Sequence, residues 1–181
     1  MSCFKISKSK EYSWIFPFIG GILIFIALLT PASIPLRDTE IIWVWGLSLH
    51  GSFSFIDNII ALTISIICTI LISICAFRII LTAINARNPA KRNEFVERIW
   101  FIMGFSIIVV IVFWAFSIHY LITYSITTIE KDESLRTTTT TTYRFWAYNS
   151  IGFGVIGIAL GGCLSIIGAC VKGLQIPKEI D

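Results

Sequence analysis

Residues 59–84 read IIALTISIICTILISICAFRIILTAI, an apolar run interrupted by one charge, Arg78. A helix needs about 20 mostly apolar residues to cross a hydrocarbon core of about 30 Å. This run exceeds that length, and Arg78 lies close enough to one end to snorkel outward as an interfacial anchor. Three further stretches qualify: about 12–30, about 99–124 and about 148–171. Pro17 sits in the first turn of the earliest stretch, where a missing N–H is tolerated, and Pro31 closes it. The expected fold is therefore an all-α membrane protein, a four-helix transmembrane bundle forming a single tetraspan domain over residues 1–181. The second and third stretches are longer than a minimal span, which implies tilt or extension beyond the bilayer.

The composition agrees. Hydrophobic residues make up 56% of the 181 residues and charged residues 14%, against roughly 45–50% and about 25% in ordinary soluble domains. The mean hydropathy of +0.84 reflects apolar residues gathered into long blocks. The net charge of +3 is small, and the basic residues fall between those blocks. That placement marks topology rather than a nucleic-acid face.

The first stretch has a competing reading. Lys5, Lys8 and Lys10 ahead of an apolar run also suit a secretory signal peptide, but Thr30-Pro31-Ala32 is a poor cleavage site and the run is long for such a leader. Uncleaved, it is the first of four spans. Basic residues then set the orientation. Lys5, Lys8, Lys10, Arg78, Arg87, Lys91, Arg92, Arg98, Lys172 and Lys178 share one side, ten of the fourteen, while Arg37, Lys131, Arg136 and Arg144 share the other. Both termini and the connection at about 85–98 are thus expected in the cytoplasm of a cell-membrane protein, with Arg78, Arg87, Lys91, Arg92 and Arg98 as topology anchors. Trp14, Trp100, Tyr124, Trp146 and Tyr148 fit an interfacial aromatic belt.

The extracytoplasmic loops cover about 31–58 and about 125–147. In the first, Leu47, Leu49, Phe53 and Phe55 alternate with Ser48, Ser52 and Ser54 around His50-Gly51. A period of two around a turn predicts a β-hairpin. In the second, Thr137 to Thr142 lead into Tyr143, Phe145 and Trp146, all strand-favouring types. A third strand there would complete a small cap over the bundle; the alternative is an unstructured, glycosylated threonine tract. Trp43 and Trp45 form an aromatic cluster that serves either as the packed base of the cap or, with Leu47, Phe53 and Phe55, as an extracellular contact surface.

Chemistry is sparse. No Asp, Glu or Lys falls within the hydrophobic depth of any span, where ion-coupled transporters place ionisable groups. His119 and His50 lack a nearby Cys, Asp or Glu at ligand spacing, so His119 reads as an interfacial packing residue and His50 as part of a turn. Cys68 and Cys75 are seven apart, as are Cys163 and Cys170. Seven residues span about 10 Å of helix, too far for a disulfide, so small packing residues are expected, with lipidation of Cys3 or Cys170 as the alternative. No Asn-x-Ser/Thr sequon occurs. No catalytic, cofactor-binding or metal-ligating set is predicted.

The clearest local signal is in the last stretch. Gly157, Gly161, Ser165, Ala169 and Gly173 recur every four residues, and Gly152, Gly154, Gly162 and Gly168 add to them. Such a stripe lets another helix backbone come close. The partner helix lies in this chain or in another subunit.

Four spans, a tryptophan-bearing first loop with β character and a glycine-rich last helix resemble the claudin and peripheral-myelin-protein tetraspans. The run from Gly157 to Leu164 is similar to the small-rich fourth helix of claudins, and Trp45-Gly46-Leu47 resembles their first-loop signature. The order around the tryptophan is reversed here, the family's first-loop cysteine pair is missing and loop one is about half the family's length. No pore-lining role therefore carries over to a residue of this chain. The resemblance implies a non-enzymatic, membrane-organising or adhesion-like tetraspan whose partners are the lipid bilayer, other membrane proteins or itself. The alternative is an accessory structural subunit of a larger membrane enzyme or transporter complex.

Overall fold

A computed structural model describes residues 12–36, 40–88, 94–131 and 136–171, with backbone alone at 125–131 and 136–139. Among the described residues the chain is mostly helical. The helices are α1 (Ile15–Leu29), α2 (Ile59–Ala86), α3 (Glu94–Leu121) and α4 (Phe153–Cys170). The strands are β1 (Ser33–Pro35), β2 (Ile41–Ile42), β3 (Leu47–His50), β4 (Ser52–Phe55), β5 (Thr123–Lys131), β6 (Arg136–Arg144) and β7 (Asn149–Ile151).

Three helices, α2, α3 and α4, are long and apolar enough to cross a membrane. The 28 residues of α2 give a rod of about 42 Å at 1.5 Å per residue. The first stretch differs from expectation: α1 has 15 residues, or about 22 Å. It ends where Thr30 Oγ1 donates to Ala27 O at 2.8 Å, ahead of Pro31. At the other end of the bundle, α3 starts earlier than residue 99. Glu94 and Glu97 occupy its first turn, where carboxylates favour the positive end of the helix dipole.

The helices pack as a closed ring, each on its sequence neighbours, with α1 against α4 completing the circuit through the most extensive contact. The outer faces of the helices are apolar, unlike those of a soluble bundle. On α2, Ala61, Ser65, Cys68, Ile72, Ala76, Ile79 and Ala83 face inward, while Ile66, Ile67, Ile70, Ile74 and Phe77 are exposed. On α3, Phe101, Phe105, Phe113 and Phe116 likewise point outward. On α2 small groups take most of the inner face, and the large apolar groups on the outer faces suit an apolar solvent. Tryptophans cross-link the interior: Trp114 Nε1 donates to Ser65 Oγ at 2.9 Å and Trp100 Nε1 to Thr82 Oγ1 at 2.9 Å. Each bond satisfies an indole N–H that burial would otherwise strand.

One core runs from Ile24, Ile72, Ile107 and Trp114 of the helices into Ile42, Val44 and Phe145 at the capped end. A smaller cluster of Ala83, Ala86 and Trp100 closes the opposite end. Among the described residues the cap contains three separate sheets. The predicted hairpin is present, with Leu47 opposite Phe55 and Leu49 opposite Phe53. Its turn uses Gly51 at φ +73°, a conformation that costs other residues about 1–2 kcal/mol. The third strand is not the threonine tract but β2, from the same loop, paired Ile41 to Leu49 and Ile42 to Ser48.

The threonine tract does form a strand, β6, and pairs with β5 directly after α3. Thr123 and Tyr124, expected at the end of the third span, begin that strand. The β-branched Thr123–Lys131 segment lies just upstream of β6, so a local hairpin closes with little loop entropy. β1 then pairs with β7, tying loop one to the start of α4. This is why α4 begins at Phe153 rather than residue 148: Asn149–Ile151 are held extended by Ser33–Pro35.

Candidate functional site

Two surfaces and one seam gather the residues singled out by sequence. The seam is α4. An added Cβ at Gly157 would stand 2.7 Å from Ala27 Cβ, and one at Gly161 would stand 2.6 Å from Gly20 O. At Gly168 it would strike the Pro17 ring. Reciprocally, a Cβ on Gly20 would meet Gly161 O at 2.6 Å and Ser165 Oγ at 3.1 Å. Ser165 keeps its hydroxyl satisfied within the helix, donating to Gly161 O at 3.0 Å. The helix partner of this stripe is therefore α1 of the same chain. Ala169 packs beside the cluster of Ala83, Ala86 and Trp100. Gly173 lies outside the described residues.

A second glycine face of α4 meets α3. A Cβ on Gly162 would be 2.9 Å from Gly104 O, and one on Gly104 would be 2.7 Å from Gly162 O. The N-terminus of α4 is also joined to the chain after α1. Gly152 has no side chain to cap the helix, yet Gly154 N–H donates to Pro31 O at 2.9 Å and Gly152 N–H to Ala32 O at 2.8 Å. A backbone carbonyl thus replaces the missing cap. The contributions of Gly20, Gly21 and Gly104 were not picked out from sequence. The signal was available, since small residues inside long apolar runs mark close helix approach.

The first surface is the three-stranded sheet β2–β3–β4. Alternation puts Ile42, Ser48 and Ser54 on one face and Ile41, Leu49 and Phe53, with Leu47 and Phe55, on the other. The serine face is the inner one. Ser48 and Ile42 are buried, and Ser48 Oγ lies 3.0 Å from Ser54 Oγ. The apolar face points away, leaving Phe53 68% and Phe55 58% exposed. Trp43 joins it, stacked near Phe53 at 6.1 Å, with its Nε1 donating to Leu29 O at 3.2 Å. Trp45 is half-buried in the tight turn between β2 and β3, where Gly46 N–H reaches Trp43 O at 3.0 Å. Gly46 takes φ +90° there, and Val44 beneath is fully buried.

The second surface surrounds the outgoing end of α3. Trp146 Nε1 donates to Ala115 O at 2.9 Å, laying the indole along the helix. Ala115, Phe116, His119 and Trp146 line a hollow of about 170 Å³. The Arg144 guanidinium sits 4.4 Å above the Tyr120 ring, one turn beyond Phe116. His119 Nδ1 is buried without a hydrogen-bond partner. His50 sits at the end of β3 beside the hairpin turn. Among the described residues, no group of three or more His, Cys, Asp and Glu is placed to hold a metal ion.

Tyr124 links three segments of the cap. Asn149 Nδ2 lies 3.5 Å from its hydroxyl and donates to Phe145 O at 3.1 Å. Burial pushes the Tyr124 phenol up to about 12, with the Glu40 charge adding to the rise and the Asn149 bond opposing it.

Of the basic anchors, Arg78, Arg87 and Arg98 are exposed around the end of the bundle opposite the sheets. Lys91 and Arg92 lie outside the described residues. Cys68 is buried, Cys75 half-buried, and Cys163 and Cys170 exposed, all four as free thiols. No protein-family model, curated relative or solved structure matches this chain.

Proposed function

We propose that this chain is a non-enzymatic, claudin-like tetraspan of the cell membrane, with both termini cytoplasmic. In this reading it organises or joins membranes, or assembles with other membrane proteins, through the outer face of its β2–β3–β4 sheet. The observation that carries the reading is that face: a sheet in a protein interior turns its apolar side inward, and here Phe53 and Phe55 turn outward while Ser48 is buried. Exposed apolar patches of this kind mark interaction sites, and aromatic residues dominate binding energy where partners meet. The apolar outer faces of the helices support crossing of the membrane, with α1 placed between α2 and α4 as the fourth span. With Gly157, Gly161 and Ser165 engaged by α1, the glycine stripe is a device for folding, and association falls to the sheet.

The test is native mass analysis after gentle extraction. Multiples of the 20.3 kDa chain that revert to monomer in Phe53→Ser/Phe55→Ser are the expected result. Unrelated proteins co-extracted at fixed ratio would instead favour an accessory subunit of a larger complex. A lone monomer would remove the interaction reading.

A further inference from the structure

We propose that the hollow between α3 and Trp146 is a binding site for one anionic phospholipid from the leaflet on the capped side. The inference rests on the membrane-spanning reading and goes beyond it. Three kinds of group succeed one another along α3. Ala115, Phe116 and the Trp146 ring offer an apolar trough. His119 stands about 6 Å further along the axis than Ala115 at 1.5 Å per residue, and its Nδ1 is buried with no protein partner. Arg144 then covers the Tyr120 ring at 4.4 Å, one turn beyond Phe116.

Apolar wall and fixed cation follow the order of acyl chain and phosphate in a phospholipid. Arginine suits phosphate because its planar fork makes two parallel charge-assisted bonds. Tyr120 holds the guanidinium by a cation–π contact that leaves its edge free. Among the described residues no carboxylate is paired with Arg144, whose recorded contact is the Tyr120 ring. Charge therefore selects an anionic head over a zwitterionic one, in which the amine would face the same guanidinium.

The test reconstitutes the full chain into vesicles of equal parts phosphatidylcholine and phosphatidylglycerol, washes them with alkali and reads retained lipid by native mass analysis in detergent. The wild type is expected to retain phosphatidylglycerol in about tenfold preference, set by the net charge of the head group. Arg144→Gln, a change at an exposed position, should bring that ratio close to one. Ala115→Phe, which fills the trough, should lower retention of both lipids. Equal retention by the wild type, or an unchanged ratio in Arg144→Gln, would overturn the site. Loss of the protein in the alkaline wash removes the spanning reading and the site together. Retention in the vesicles without lipid preference removes the site alone.

Discussion

Asn58 is held at both ends of its amide. Its Oδ1 accepts from Ile60 N–H at 3.0 Å and Ala61 N–H at 3.2 Å, capping α2, while its Nδ2 donates to Leu121 O at 2.9 Å, the last residue of α3. One side chain thus clamps the start of one helix to the end of the next. Asn58→Ala should cost about 1 kcal/mol for the cap and about 1 kcal/mol more for the cross-link. Asn58→Asp keeps the cap oxygens but sets a carboxylate against the Leu121 carbonyl, so it should recover only the first part. Unfolding midpoints of the three proteins in one detergent check both statements; equal midpoints would show that the clamp contributes nothing. Tyr124 makes a pH-dependent contribution of definite sign. Burial pushes its phenol from the ordinary 10.0 up to about 12, so the folded state holds the proton more tightly. Stability is unaffected below about pH 10 and falls as pH rises from there toward about 12. A Tyr124→Phe variant should show less loss over that window when melting is followed against pH, and parallel curves would refute the assignment.

The α1–α4 contact is where a single methyl group has the largest expected effect. A Cβ at Gly161 would meet Ile24 Cγ1 at 2.5 Å and Gly20 O at 2.6 Å, and the backbone carbonyl cannot rotate away. Gly161→Ala should therefore force the two helices apart at about 1–3 kcal/mol. Cys163→Ala on the exposed side of the same helix should stay within about 0.5 kcal/mol. Matched melting points for the two variants would mean the seam tolerates separation. That stripe was legible in the sequence because its spacing of four is local information. So was the β3–β4 hairpin, since Leu47, Leu49, Phe53 and Phe55 alternate around Gly51. What local pattern does not carry is pairing between distant segments. The three-residue ladder of Ser33–Pro35 with Asn149–Ile151 is too short to leave a period. The choice of β5 as the partner of the threonine strand depended on where α3 ended. The outward turn of the phenylalanines stood as one of two readings for a related reason: alternation separates two faces without saying which is buried.

At the scale of the molecule, the arrangement is a ring of four helices with its sheets at one end and Arg78, Arg87 and Arg98 at the other. In a background without native cysteines, Ser54→Cys should react with an impermeant thiol reagent on intact cells and Asn88→Cys should not. Labelling of Asn88→Cys from outside would reverse the proposed orientation. Reading the first helix as a cleavable leader meets a physical objection at this scale. Its departure would uncover Gly157, Gly161 and Gly168 along the length of α4. The ring is also closed late. Gly20 and Gly161 touch in the finished protein, but a ribosome adding about 5–20 residues per second needs roughly 7–28 s to travel from one to the other. During that interval the first helix has no α4 to receive it. Its groove for the last helix is then without its native occupant, and the carbonyls of Pro31 and Ala32 await their donors. Folding of this protein is therefore timed by synthesis itself, because its tightest joint unites the earliest helix with the last one made.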